Sequence, residues 1–278
     1  MGTVHGVYLK YVGLSALSYA GYSLFAATPT SVSSSARVML EGSETSGSLV
    51  KMLPAIVMGY SAVLNGAIAV LFKLEWGMGI IGKDKTTGQI PLWSYVIFFP
   101  FHLPTILYTR VHAQISRAKD PDPKTGEMKY QRVPPASEVQ KGWWVGGCNA
   151  HELGQKEWGG IIDLTVEFPE TCRNNTKHYL SAPTWDGVPL SPSGLESAAN
   201  FAVEARQSGD VLVHCAHGRG RSTTVMCACL VKAGLYANWE EAFEKGIKPY
   251  RSVCKLNKRM KESLAAWQAL YVDGKKAI

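Results

Sequence analysis

Three long apolar stretches occupy the first part of the chain, at about residues 8–27, 52–72 and 90–108. Only the first of them contains a charged side chain, Lys10. A helix of about 20 apolar residues is long enough to cross the hydrocarbon core of a bilayer. The pattern therefore predicts a membrane region over residues 1–109 with three transmembrane helices, or two if one stretch does not span.

Each flanking stretch also allows another interpretation. The first resembles a signal peptide, or, with the serine run Ser31–Ser35 behind it, an organelle transit sequence. The third contains Pro91, Pro100 and Pro104, which predict a kink or a shallow re-entrant hairpin. A buried all-helical core is the alternative for the region as a whole.

The remainder of the chain alternates between short apolar runs and amphipathic segments. Residues 110–135 are rich in Pro, Asp and Gly near 120–135, which is typical of a linker. The predicted strands lie at 142–147, 160–164, 177–182 and 211–213, and the predicted helices at 150–158, 193–207, 220–231, 239–246 and 257–271. Strands that alternate with helices indicate an α/β fold, with a mostly parallel sheet flanked by helices, over residues 136–278.

Charge separates the same two regions. The 278 residues include 29 Lys and Arg and 22 Asp and Glu, but the first 109 positions hold only six basic and four acidic residues. The rest of the chain has the charge density of an ordinary globular domain. Six cysteines without a CxxC pair exclude a disulfide scaffold and disfavour zinc-ribbon or thioredoxin-type sites. We expect no metal, no cofactor and no nucleic-acid partner.

One motif carries the chemistry. The predicted strand 211–213 runs into His214 and Cys215, and Arg221 and Ser222 follow at the start of a predicted helix. Backbone N–H groups of such a loop can surround one tetrahedral anion, while Arg221 binds two of its oxygens and the helix N-terminus favours a thiolate at Cys215. Ser222 can donate a hydrogen bond to the sulfur. The residues predicted to surround the phosphate are Ala216, His217, Gly218, Arg219, Gly220 and Arg221.

This motif resembles that of the cysteine-dependent phosphatase superfamily, and within it the compact dual-specificity group. The resemblance covers about residues 133–270 and includes Ile161–Thr165 and the turn that contains Arg251 and Asn257. It implies that Cys215 attacks phosphorus and that a phosphocysteine forms and is hydrolysed.

Such a mechanism needs a general acid, which this family takes from an Asp on a loop about 30 residues before the cysteine. Asp186 lies 29 positions before Cys215, among turn-forming residues, and is our candidate. Asp163 is expected to anchor the structure, and Asp210 to point away. Glu167 and Glu170 are weaker candidates.

The substrate is less well defined by the sequence. The resemblance favours a phosphorylated Tyr, Ser or Thr side chain in a protein. A phospholipid headgroup, of the phosphoinositide or phosphatidylglycerophosphate type, is the alternative, because a membrane anchor and two extra potential cations, His217 and Arg219, suit it. A phosphate-binding scaffold without activity is a third reading. Arg110, Arg117 and Lys119 after the third stretch, and the need for a reduced thiol, place the domain in the cytosol or another reducing compartment.

Overall fold

The computed structural model describes residues 4–26, 44–121 and 125–274. They form two compact units, one from His5 to Trp76 and the other from Gly77 onward. The serine run Ser31–Ser35, on which the transit-sequence interpretation rests, lies outside the described residues.

The first unit is a pair of helices, α1 (Val4–Ala26) and α2 (Glu44–Leu74). The Ser15 hydroxyl of α1 donates to the Ala62 carbonyl of α2 at 2.7 Å, and the rings of Tyr11 and Phe72 lie 4.9 Å apart. Within the described ranges, one helical segment, Met52–Leu74, is long and apolar enough to cross a membrane, by length and composition alone. Of the three predicted spans, only the second is thus supported in this way.

The third apolar stretch forms two helices, α3 (Leu92–Ile97) and α4 (Phe99–Ile115), which meet at Phe98. One side of the pair is buried within the second unit and includes the polar side chains of Ser94 and His102, which contact each other at 3.2 Å. A span surrounded by lipid was one expectation, and a broken helix was the other. The structure has the broken helix, and one face of it packs on protein.

The expected linker contains a hairpin. Strands β1 (Arg117–Pro121) and β2 (Met128–Arg132) pair antiparallel, and the buried Asp120 carboxylate accepts a hydrogen bond from the Ser252 N–H at 2.7 Å. The compact second unit therefore begins near Gly77 and not at residue 136. The turn-forming residues of this segment therefore do not mark a domain boundary.

A five-stranded sheet forms the centre of the second unit. Its strands are β3 (Ala136–Gln140), β4 (Trp143–Gly146), β5 (Gly160–Thr165), β6 (Tyr179–Thr184) and β7 (Val211–His214), in the order β3-β4-β7-β5-β6. The β3–β4 pair is antiparallel, and the other three pairs are parallel. The fold is thus the predicted α/β arrangement with a mixed, mostly parallel sheet. Strand β3 was not predicted.

Helices flank this sheet. They are α5 (Pro192–Ala205), α6 (Arg221–Lys232), α7 (Trp239–Glu241), which continues as a π-helix over Ala242–Ile247, and α8 (Lys258–Gln268), which continues over Ala269–Asp273. The Ser191 hydroxyl caps α5 by accepting from the Gly194 N–H. The helix predicted over 150–158 was wrong, because only the single turn Ala150–Leu153 is helical there.

Strand β7 lies in the middle of the sheet, and all four of its residues are buried. It runs parallel to β4 on one side and to β5 on the other. The carboxyl ends of all three strands therefore meet at one edge of the sheet, which is where ligands bind in open α/β folds. Cys215 follows β7 at that edge.

Candidate active site

A tight loop connects β7 to α6 and contains the predicted phosphate-binding residues. Gly218 has φ +64, and a Cβ at this position would lie 2.6 Å from the Gly146 carbonyl group. Both the left-handed conformation and the close approach require glycine here. The loop therefore packs directly on the end of β4.

The carbonyl groups of the loop are held by donors outside it. The buried Arg251 guanidinium donates to the Gly218 carbonyl at 2.8 Å and to the His217 carbonyl at 3.2 Å. The Lys255 N–H donates to the carbonyl of Arg219 at 2.8 Å. With these carbonyls engaged outside the loop, its N–H groups are available to an anion on the inner side. Arg251 belongs to the turn that carried part of the family resemblance.

Cys215 is buried at the base of the loop, with its sulfur 3.4 Å from the Ser222 hydroxyl. Burial would raise the pKa of the thiol. The Arg221 guanidinium, the Ser222 hydroxyl and the N–H groups of Ser222 and Arg219 outweigh this effect and hold the pKa below its ordinary value. The loop therefore stabilises a thiolate, which is the nucleophilic form.

This lowered pKa predicts how alkylation of Cys215 depends on pH. Since only the thiolate reacts, we expect the rate of labelling by iodoacetate to reach half its maximum below about pH 8.5, the ordinary thiol pKa. Labelling of the full chain is followed by mass spectrometry of the peptide that contains Cys215, with Cys215→Ser as the control. A midpoint at or above the ordinary thiol pKa would contradict the stabilised thiolate.

Arg221 begins α6 and is fully enclosed. Its guanidinium contacts Glu167 through both terminal nitrogens, at 2.6 and 3.3 Å, and also donates to the carbonyls of Leu164, at 3.0 Å, and Thr184, at 2.6 Å. Burial opposes its charge, but Glu167, Asp186 and Cys215 raise its pKa further above the ordinary value. Glu167 was considered as a general acid, but the structure places it as the carboxylate that fixes the arginine.

Asp186 lies on the loop after β6, and one carboxylate oxygen is 3.5 Å from Arg221 Nη2. Its side chain is 39% exposed, which makes it far more accessible than the other carboxylates around the site. The adjacent Trp185 is fully buried and meets the ring of Phe101 in α4 edge-on at 6.1 Å. Asn257 caps α8 and also donates to the Gly187 carbonyl at 2.9 Å. The loop is therefore anchored on both sides of a solvent-accessible carboxylate.

The rival acid Asp163 is occupied by structural contacts. It is fully buried and binds the Lys83 ammonium, the Thr165 hydroxyl at 2.7 Å and the Tyr179 hydroxyl at 3.0 Å. Burial opposes its ionisation, but Lys83 and His214 hold its pKa below the ordinary value. This anchoring role agrees with the expectation from sequence. Asp210 pairs with Lys156 at 2.7 Å, just before β7 and thus at the opposite end of that strand from Cys215.

Behind Cys215, the imidazole of His214 contacts Glu170 and lies 3.8 Å from Asp163. Burial would lower the pKa of His214, but the two carboxylates raise it to about 9, so the ring is protonated at neutral pH. Asp163, Glu170 and His214 offer atoms within 4.8 Å of one another, a grouping of a kind that can hold a metal ion. Here Lys83 and the protonated His214 supply the positive charge. The sequence did not reveal this cluster.

His217 and Arg219 do not form the cationic rim that the sequence suggested. Burial lowers the pKa of His217 to about 4, so the ring is neutral, and it packs against His112 of α4 with ring centres 4.5 Å apart. The Arg219 guanidinium donates to the Ser116 hydroxyl at the end of α4. Both side chains therefore attach the phosphate loop to α4.

Three further residues around the site were not predicted: Lys83, Ser116 and Phe101. Each lies before residue 133, outside the stretch that resembles the family. In the sequence, Lys83 lies between the second and third apolar stretches. The one signal in the sequence was a lysine placed between apolar segments. Such a lysine does not show which carboxylate it binds.

A buried cysteine with a lowered pKa, a tight loop that leads into a helix N-terminus, and an enclosed arginine are the features that a cysteine-based phosphatase site requires. Residues 146–269 match the family model described as dual specificity phosphatase, catalytic domain. This part of the chain is therefore a cysteine-based phosphatase domain.

Solved structures show similarity over about half of the chain. Human DUSP28 is 22% identical over 49% of this chain and 95% of its own, with a TM-score of 0.43. PTPMT1 is 19% identical over 51% and 99%, with a TM-score of 0.42. A human tyrosine phosphatase-like serine/threonine/tyrosine-interacting protein is 17% identical over 49% and 97%, with a TM-score of 0.41. No curated protein matches the sequence.

Proposed function

We propose that the chain is a membrane-anchored phosphomonoester hydrolase that acts through a phosphocysteine at Cys215. The observation that carries this proposal is the arrangement around the thiol. Cys215 lies 3.4 Å from Ser222 with its pKa lowered, and Arg221, which contributes to that shift, is also 3.5 Å from Asp186. A nucleophile, a phosphate-binding cation and an accessible acid from a neighbouring loop thus meet at one site.

The first step transfers the phosphoryl group to the enzyme. The Cys215 thiolate attacks phosphorus and forms the S–P bond, while the P–O bond to the leaving group breaks. Asp186 gives its proton to the leaving oxygen. Arg221 and the loop N–H groups bind the equatorial oxygens as charge shifts onto them.

The second step releases phosphate. A water molecule attacks phosphorus, and the Asp186 carboxylate takes the proton of that water. The S–P bond breaks, and the Ser222 hydroxyl stabilises the departing thiolate by donating to it. The phosphate leaves and Asp186 is protonated again, ready for the next cycle.

A series of aryl phosphates tests both the chemistry and the acid. On phenyl phosphate, whose leaving group needs a proton, we expect Asp186→Ala in the full chain to lower kcat by about 10²–10³-fold. On para-nitrophenyl phosphate, whose leaving group is stable as an anion, the loss should be less than about tenfold. Initial rates of phosphate release measure both.

Two control variants accompany this series, one expected to be fully active and one expected to be inactive. Asp273→Ala removes an exposed carboxylate of the last helix and should leave both rates unchanged. Cys215→Ser should abolish both. An equal effect of Asp186→Ala on the two substrates would remove Asp186 as the acid, and turnover by Cys215→Ser, or none by the wild type, would refute the phosphatase proposal.

The membrane anchor in this proposal is the segment Met52–Leu74. The catalytic domain would face the cytosol or another reducing compartment, because an oxidised Cys215 cannot act as a nucleophile. Two substrate classes fit the chemistry. A phosphorylated protein side chain is favoured by the resemblance to dual-specificity phosphatases, and a phosphorylated lipid headgroup is favoured by the apolar helices. An inactive scaffold is disfavoured, because Cys215, Arg221 and Asp186 are all present.

A further inference from the structure

The helix pair α3–α4 exposes an apolar stripe to its surroundings. The exposed residues repeat every fourth position, first in α3 and then in α4: Leu92 and Val96, then Leu103, Leu107, Val111 and Ile115. Leu103 is 67% exposed and Leu107 62% exposed. Repetition at this spacing places the side chains on one face of a helix. We call these six residues the apolar face.

The opposite side of the same helices is packed on the catalytic domain. Phe101 and Ser94 are fully buried, and Thr109 is nearly so. The pair is therefore neither a lipid-surrounded span nor an ordinary amphipathic surface helix, whose outer face would be polar. A contiguous exposed patch of this kind marks a contact with another apolar partner.

The charges around the apolar face indicate which partner. No acidic residue lies between Asp84 and Asp120 in the sequence. The exposed residues Arg117 and Lys119 follow the apolar face at its carboxyl-terminal end, and the exposed Arg110 lies beside its last two members. An apolar face flanked by basic residues is typical of a helix that lies in the surface of an anionic bilayer. A protein groove would not require such an excess of positive charge.

The proposed anchor also keeps these helices near a membrane. Seventeen residues separate Leu74, at the end of the candidate span, from Leu92 at the start of α3. Even fully extended, that segment reaches at most about 60 Å. The bilayer that holds the anchor is therefore an apolar surface that α3 can reach in every molecule.

Helix α4 also touches both loops of the site. His112 packs on His217 of the phosphate loop, Ser116 accepts from Arg219, and Phe101 packs on Trp185 of the acid loop. A cleft of about 710 Å³ separates α4 from the segments 148–152 and 168–171, with Ile106 and Phe168 in its lining. It reaches Cys148, whose N–H donates to the Ala216 carbonyl of the phosphate loop at 3.2 Å. A headgroup in the phosphate loop would thus have an apolar surface next to it.

We propose that α3 and α4 lie in the surface of a lipid bilayer and present the phosphate loop to phosphomonoesters carried on lipid headgroups. The proposal rests on the phosphatase function proposed above and adds its substrate class. The lipid is bound through its phosphate by the loop and through its apolar part beside α4.

The experiment uses the full chain reconstituted in phosphatidylcholine vesicles that contain phosphatidylinositol monophosphate. In the double variant Leu103→Glu with Leu107→Glu, two charged side chains replace exposed leucines. The fold is retained because neither leucine is buried, whereas the helix leaves the lipid because charged side chains are unfavourable there. We expect its hydrolysis of the vesicle lipid to fall about tenfold or more. Its hydrolysis of phenyl phosphate added to the water phase of the same vesicles should stay within about twofold of the wild type.

Leu270→Glu is the matched control, because Leu270 is 63% exposed on the last helix. It should affect neither substrate. Undiminished lipid hydrolysis by the double variant would overturn the proposal. Hydrolysis of a phosphotyrosine peptide and of phenyl phosphate, with none of the lipid, would overturn it in favour of a protein substrate. If the wild type hydrolysed none of the three, the phosphatase function itself would be refuted.

A second measurement does not depend on activity. A bimane label at Leu103→Cys should be quenched by nitroxides on the lipid chains, whereas a label at the exposed Glu244→Cys on the catalytic domain should be quenched only by a water-soluble quencher. Equal behaviour of the two labels would overturn the proposal, even if the double variant failed to fold.

Discussion

A fragment that begins at Ala136 is expected not to fold and to show no turnover of phenyl phosphate, whereas a fragment that begins at Gly77 is expected to retain both properties. Residues 136–278 are the domain that motif and composition delimit. The compact unit is larger and begins near Gly77. Residues 77–135 contribute side chains to the interior of the catalytic domain. Their removal leaves the buried groups that they contact without partners, which destabilises the domain.

Lys83 accounts for the largest part of this expected effect. Its side chain is only 3% exposed, and its ammonium binds the fully buried Asp163, the Thr165 hydroxyl at 2.8 Å and the Thr165 carbonyl at 2.9 Å. Removal of one partner of a buried ion pair costs about 3–5 kcal/mol, since the other charge remains enclosed. Loss of Phe101 from the fully buried Trp185 adds a large apolar cavity. The whole stability of a domain is only about 5–15 kcal/mol.

Circular dichroism and phosphate release, measured on both fragments in the same mild detergent, test this prediction. In the longer fragment, Lys83→Met should lower the free energy of unfolding by about 3–5 kcal/mol. Lys85→Met is the matched control at an exposed position two residues away and should change it by less than about 0.5 kcal/mol. A stable and active fragment from Ala136 would show that residues 77–135 are dispensable.

The fold was largely predictable where local patterns determine it. The strands over 160–164 and 211–213 and the helix after Gly220 follow from apolar runs bounded by turn residues, and they match β5, β7 and α6. The phosphate loop was predictable for the same reason, because all its chemistry lies in consecutive residues. The predicted elements that the structure confirms are thus those determined by residues close together in the sequence.

Long-range partners were not predictable in this way. Glu167 is three residues beyond the end of a predicted strand, and nothing in its neighbourhood shows that it would meet Arg221, 54 positions later. His217 and Arg219 were interpreted as potential cations at the rim of the loop, because the sequence does not show that α4 lies against them. The apolar stretch 90–108 was interpreted as a span, because composition does not show which face of a helix packs on protein.

Arg221→Lys is expected to reduce kcat/KM on phenyl phosphate by about 10³-fold, although the positive charge is kept. The guanidinium donates at once to Glu167 and to two backbone carbonyls, and this planar set of contacts directs its remaining N–H edge. A lysine ammonium is a single point donor and cannot hold these contacts while binding two phosphate oxygens. Loss of transition-state stabilisation from one such donor group costs about 10²–10³-fold, and the misplaced carboxylate of Glu167 adds to it.

Glu167→Gln separates positioning from binding, since it keeps the guanidinium and removes only the charge that orients it. Its kcat/KM should fall by about tenfold, which corresponds to one charge-assisted hydrogen bond. Thermal unfolding of both variants distinguishes a catalytic loss from a structural one, because a loss through unfolding would lower activity in proportion to the folded fraction. If Arg221→Lys stayed within about tenfold of the wild type, the phosphoryl group would have to be bound by the loop N–H groups alone, and the enclosed guanidinium would serve mainly to join Glu167 to the strands β5 and β6.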